Sequence, residues 1–406
     1  MTLLSRNGVA RLGRVGFSLA LAAPMLLLMG CGETDPDRVY DRALAAVETA
    51  RIDDAESELR RLGELRPPTV LDRGLRARVA IARNRTDEAI ELLRSIPDDH
   101  ALASWARLRE GQLLVRLHRF PAAEAALLAA LAIDPTLVEP RRELIYIYGL
   151  QLRRRDLDRT FREVSARSRL SPKEVWVWCM VRDLAWWSPG EHAPLLEAAI
   201  AADPGDRASI RALAEVERRQ GHYDAAEALL ARNPADDADT IAALAEIDLE
   251  RTGPDAARAR LASAPRPDDP AFDGLRGRIA LAERRAEDAV RLLTRALEHD
   301  PGRRGAIADL GKALVLAGQP DRGRPYVESA ARIDRLDNLL LQAENRIQTR
   351  DPALLRSLAE ACEAADRLPE ARAWYNLLLE LDPTAPAVQS ALFRLDRRLT
   401  PVDKAP

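Results

Sequence analysis

The feature that most constrains this chain is a periodicity. A small or apolar residue near the start of a helical segment recurs at Ala55, Ala89, Ala123, Leu157, His192, Ala226, Ala257, Ala289, Gly323 and Ala371, at spacings of 34, 34, 34, 35, 34, 31, 32, 34 and 48 residues. Alanine is common here, so one match means little, but a run of near-equal intervals marks one supersecondary unit used repeatedly. A unit that leaves an apolar face uncovered gains stability only when a neighbour stacks on it, so the pattern predicts an array. The usual estimate of two or three domains for 406 residues therefore does not apply. Aromatics make up only 4% of the chain, and the Ala-, Leu-, Arg- and Glu-rich remainder suits helices held by small-residue contacts, which argues against a sheet-rich enzyme.

The residues around the marker sharpen this. One copy has Gly111, Ala123, Ala130 and Pro135; a second has Gly277, Ala289, Ala296 and Pro301; a third has Gly311, Gly318, Gly323 and Ala330 but ends at Arg335. A glycine where two antiparallel helices cross lets their backbones approach. Proline after the second helix ends it. This arrangement resembles the tetratricopeptide repeat. The resemblance covers roughly residues 37–384 and implies an all-α solenoid over 37–400, of about ten αα-hairpins wound as a right-handed superhelix. Leu157 and His192 depart from the small marker, Pro234 cuts one second helix short, and residues 336–350 are surplus, expected as an unpaired helix or an altered joint. The segment 401–406 is expected to be a loose tail.

Residues 1–30 read as an address. Arg6, Arg11 and Arg14 precede an apolar run from Val15 to Met29, too short to span a bilayer comfortably. It ends Leu28-Met29-Gly30-Cys31, which resembles the lipobox of bacterial lipoproteins and implies cleavage before Cys31 and acylation of its thiol, with 31–36 as a short tether. Acyl chains contribute about 0.8 kcal/mol per buried CH₂, so several would hold the body on a membrane. The expected location is the cell envelope, on the periplasmic face of the inner or outer membrane if the cell is Gram-negative. The mature chain would carry 58 basic and 64 acidic residues, which gives no reason to expect nucleic acid as a partner.

Cys179 and Cys362 lie 183 residues apart, so in an open solenoid they are expected to be two separate buried small residues. Ser171-Pro172-Lys173-Glu174 has the form of a helix start and introduces Trp176, Trp178, Trp186 and Trp187, either a buried central helix or an aromatic ledge for a sugar or a partner helix. No two of the five histidines share the spacing of three or four that puts two ligands on one helical face. No nucleophile elbow, metalloprotease helix or dinucleotide loop is present, so no catalytic residue, metal or cofactor is expected.

The resemblance also implies a protein or peptide partner in a concave groove lined by the first helix of each hairpin. Carrying those positions over gives acidic and basic residues in near-even number. A local basic stretch, with Arg142, Arg211, Arg218 and Arg219 and with Gln112, Arg116 and Tyr146 nearby, is the expected anionic docking zone. The reading is a non-catalytic adaptor tethered in the envelope; its alternatives are a polysaccharide or peptidoglycan binder using the 176–187 segment and, more remotely, a hydrolase.

Overall fold

The computed structural model describes residues 35–183 and 189–399, so the leader, Cys31, Trp186, Trp187 and the 401–406 tail lie outside the described residues. The described residues contain α-helices and two short 3-10 turns and no strand, the all-α solenoid of αα-hairpins that the periodicity predicts. They fall into two compact units, divided between Pro67 and Pro68.

The first unit contains one hairpin, α1 (Pro36–Glu48) and α2 (Ile52–Leu65). Asp35 caps α1 through the Asp37 N–H, and Val39, Ala43, Ala55, Leu59 and Leu62 form its buried seam.

The second unit carries the remaining hairpins. In order these are α3 (Val70–Ala82) with α4 (Thr86–Arg94), α5 (Ala103–Arg116) with α6 (Phe120–Ile133), and α7 (Glu139–Leu150) with α8 (Arg154–Arg167). Next come α9 (Pro172–Asp183), α10 (Pro189–Ala202), α11 (Arg207–Arg219) with α12 (Tyr223–Leu230), and α13 (Ala238–Arg251) with α14 (Pro254–Ala262). The last are α15 (Asp273–Ala282) with α16 (Ala286–His299), α17 (Arg304–Leu316) with α18 (Pro320–Ala343), α19 (Pro352–Ala364) with α20 (Leu368–Leu381), and a closing α21 (Pro386–Leu399).

The small markers lie at the crossings, where Ala89, Ala123, Ala226, Ala257, Ala289 and Ala371 are fully buried. A Cβ added to Gly111 would fall 2.6 Å from Leu127 Cγ, and one added to Gly277 would fall 2.5 Å from Leu293 Cγ. At both crossings the hydrogen of glycine is what admits a leucine from the second helix. Leu157, which breaks the small-residue pattern, is nonetheless buried in the seam. The short second helices α12 and α14 match the compressed spacing before Ala289.

The repeat is equally visible in the backbone. Ala50, Asn84, His118, Leu152, Arg284 and Asp366 all have φ between 56° and 60°, each in the turn that joins two helices of a hairpin. Gly221 and Gly318 occupy the same place. The following N–H then reaches back five residues, from Arg85 to the Ala80 carbonyl at 2.9 Å, from Arg119 to Leu114 at 3.0 Å and from Arg285 to Ala280 at 2.8 Å. This left-handed closure satisfies carbonyls that the helix end would otherwise leave open.

Two expectations need correction. The surplus residues form neither an unpaired helix nor, for most of their length, a joint: α18 continues through them to Ala343, and a 3-10 turn at Ile347–Thr349 then leads into α19. Leu336, Leu340 and Ala343 are fully buried, so the extension exists because it has something to cover. The second correction is to Cys179 and Cys362, whose sulfurs lie 3.8 Å apart, although each is a small buried residue as expected. The array returns on itself, and α9 packs against α8, α18 and α20.

Candidate interaction surface

The capping box of α9 forms as its sequence predicts: the Ser171 N–H donates to Glu174 at 2.7 Å and the Glu174 N–H to Ser171 Oγ at 3.3 Å. The helix it starts is buried on several sides. Trp176 donates its indole N–H to the Leu340 carbonyl at 2.8 Å, on the α18 extension. Trp178 donates to Asp158 at 2.9 Å and stacks on Phe161, with ring centroids 5.4 Å apart. Both indoles are 1% exposed, so neither offers a ring face to a sugar; they are the packing of a central helix.

The polar side chains of the first helices form rungs between successive hairpins. Gln112 on α5 donates to Glu143 on α7 at 3.0 Å, Arg142 pairs with Glu174 at 3.0 Å, Arg218 with Glu250 at 2.5 Å, and Arg278 with Glu246 at 3.1 Å. Each rung joins residues 31 or 32 apart, roughly one repeat. Arg211 reaches Asp237 at 3.1 Å, and Arg219 reaches Glu215 at 2.6 Å. Of the residues expected as a basic docking zone, Arg142, Arg211 and Arg218 are thus brought into the inter-hairpin ladder, where acidic neighbours pair with them, while Arg219 pairs along its own helix. Tyr146 is half-buried edge-on to Phe120, and burial followed by the Glu143 charge pushes its phenol up. Burial likewise raises Glu143 against the opposing pull of Gln112, Arg109 and Arg116. Arg116 is exposed at the end of α5.

The cation of Arg154 escapes this neutralisation. Arg154, at the start of α8, is confined by surrounding chain, and among the described residues no carboxylate closes an ion pair with it. Burial depresses its guanidinium, the Arg219 charge adds to that and Arg303 contributes further, while Glu215 and Glu246 oppose. The fields of α8, α11, α13 and the residue before α17 therefore meet around one guanidinium. Arg155 beside it comes within 4.0 Å of Asp300, a second link across the same space. Arg154 and Arg303 were not among the expected site residues, because the family's ligand positions lie on first helices and Arg154 opens a second one. A signal was available in the run Arg153-Arg154-Arg155 at a turn, but arginine is too frequent here for it to stand out.

An indentation between α12, α13 and α14 is lined by Asn233, Thr240 and Ser263, with Arg260 its single ionisable group. Among the described residues no three His, Cys, Asp or Glu side chains gather in a way that could hold a metal, and no helix is long and apolar enough to cross a membrane.

Two stretches match models of the tetratricopeptide repeat, residues 75–138 and 280–347, which contain the crossings at Gly111 and Gly311. No curated protein matches the chain. Similar solved structures include the Cut9–Hcn1 hetero-tetramer of APC/C, at 14% identity and a TM-score of 0.36 over 89% of this chain and 90% of that one. They also include the P58(IPK) TPR domain, at 14% identity and 0.26 over 91% and 99%. Yeast Tom70 is similar at 14% and 0.26 over 90% and 81%. The chain is an all-α array of helical hairpins, and in residues 75–138 and 280–347 it is similar to the tetratricopeptide repeat.

Proposed function

We propose that the protein is a non-catalytic scaffold of the bacterial cell envelope, held on a membrane by lipid on Cys31, that receives a carboxylate-bearing segment of a protein partner at Arg154. The observation that carries the reading is the confined guanidinium of Arg154 with Arg219 and Arg303 nearby, left without an ion pair while Arg142, Arg211 and Arg218 on the first helices are matched by acids. A buried cation costs free energy unless it is paired, and an incoming carboxylate would supply the partner with charge-assisted hydrogen bonds.

The test uses a synthetic Glu-rich peptide of about ten residues, long enough to cross several rungs at roughly 3.3 Å per residue. Salt-sensitive binding to the full chain, lost in Arg154→Glu and kept in Arg116→Glu, is the expected result. Equal binding by both variants removes Arg154 from the site. The anchor is tested separately: Cys31→Ser should abolish incorporation of labelled fatty acid and release the protein from the membrane fraction, and continued membrane association would overturn the tether.

A further inference from the structure

The junction where the array returns on itself holds a pair of thiols that the scaffold function does not use. Cys179 Sγ and Cys362 Sγ are 3.8 Å apart, both fully buried, on helices 183 residues distant in sequence. One residue holds both in place. The backbone N–H of Arg367 donates to the Cys362 carbonyl at 2.8 Å, closing the left-handed turn at Asp366, while its guanidinium donates to the Cys179 carbonyl at 3.1 Å. Both main chains are thus fixed from the same side, and the Trp176 bond to Leu340 fixes the next turn of α9. A disulfide needs sulfurs about 2.05 Å apart, and these two stand at 3.8 Å with no side chain between them to be displaced from the sulfur–sulfur contact.

We propose that Cys179 and Cys362 are a covalent modification site: an intramolecular disulfide between them fastens α9 to the α19–α20 hairpin and locks the returned array. The oxidant is a disulfide of the general form R–S–S–R, a small molecule or a protein. The thiolate of one cysteine attacks it, forming a mixed disulfide and expelling RS⁻. The second thiolate then attacks the protein sulfur of that mixed disulfide and expels another RS⁻. Two protons and two electrons leave the protein, and R–S–S–R becomes two R–SH. In the closed junction burial holds the Cys362 thiol up and excludes the reagent, so exchange proceeds when α9 lifts away, and the finished bond is protected once it reseats. The inference rests on this junction alone and does not depend on the membrane tether or on the Arg154 site.

The experiment uses the full chain with Cys31→Ser, which leaves these two thiols. It is reduced, then incubated with oxidised glutathione in urea too dilute to melt the helices, and compared with a sample kept reduced. The expected result is loss of both free thiols, a single Cys179–Cys362 cross-linked peptide by mass spectrometry, and an upward shift in unfolding midpoint. Glutathione left as stable adducts on each cysteine would overturn the proposal. So would links between chains, or a linked form that melts below the reduced one.

Discussion

The α5–α6 hairpin and the α9 helix lie in the same unit and are held by opposite means. In α5–α6 nearly every stabilising contact is between residues less than one repeat apart: Gly111 against Leu127, Ala123 buried beneath, and the turn closed through His118. Helix α9 keeps near partners on α7 and α8 but is held as well by partners far away in the chain, with Trp176 on Leu340, Cys179 beside Cys362 and Arg367 on the Cys179 carbonyl. The first arrangement can be copied along a chain indefinitely. The second joins elements far apart in the chain, and it turns a row of repeats into a structure whose far elements stabilise one another. An array with only nearest-neighbour interfaces frays from its ends, whereas a returned one couples its middle to its end.

This difference can be tested directly with two substitutions. Trp176→Ala removes a fully desolvated indole and its hydrogen bond, and large-to-small changes of this kind cost about 3–5 kcal/mol. Gly111→Ala forces a Cβ into Leu127 and belongs with overpacking changes, about 1–3 kcal/mol. Trp176→Ala should therefore lower the thermal midpoint more. It should also raise hydrogen exchange in α9 and in α18–α20 together, whereas Gly111→Ala should disturb α5 and α6 only. Exchange confined to α9 in Trp176→Ala would show that the return of the array carries no stabilising coupling.

The repeat, the hairpin order, the crossing glycines and the α9 cap were legible because each is written in residues a few positions apart. The left-handed turn was not, even though it recurs with the same period. Ala50, Asn84, His118, Leu152, Arg284 and Asp366 share a conformation that the hydrogen-bonded closure imposes, and no common side chain announces it. The return of the array was illegible for a deeper reason. Separating Cys179 from Cys362 assumes that distance along a solenoid is distance in space, which fails once curvature accumulates. The surplus at 336–350 was the available clue, since Leu336, Leu340 and Ala343 repeat at helical spacing and a helix running past its own partner needs something to cover. The docking arginines expected at 142, 211, 218 and 219 do lie on first helices, but their partners were not foreseen. The rungs that neutralise them join residues about one repeat apart on different helices.

The smallest predicted effect concerns the same extended helix. Asp337 on α18 is 6% exposed, its Oδ1 has no hydrogen-bond partner among the described residues, and the Arg304 guanidinium approaches its other oxygen only to 3.8 Å. Burial raises its carboxyl from the ordinary 3.8 to about 6, with Arg304 opposing and the Asp334 charge adding to the rise. A carboxyl raised in the folded state binds its proton more tightly there than in the unfolded chain. Its burden on stability is therefore absent below about pH 4, grows between about 4 and 6, and is complete above 6. A rise of that size corresponds to about 3 kcal/mol at most. Asn keeps a polar atom in the same partnerless space, so Asp337→Asn should recover less, about 1 kcal/mol. The variant should melt higher than the wild type at pH 7.5, and the two midpoints should converge as pH falls towards 4. Equal midpoints at pH 7.5 would mean that Arg304 already compensates the buried charge in full. The extension of α18 would then keep its acid at no cost while it covers α9.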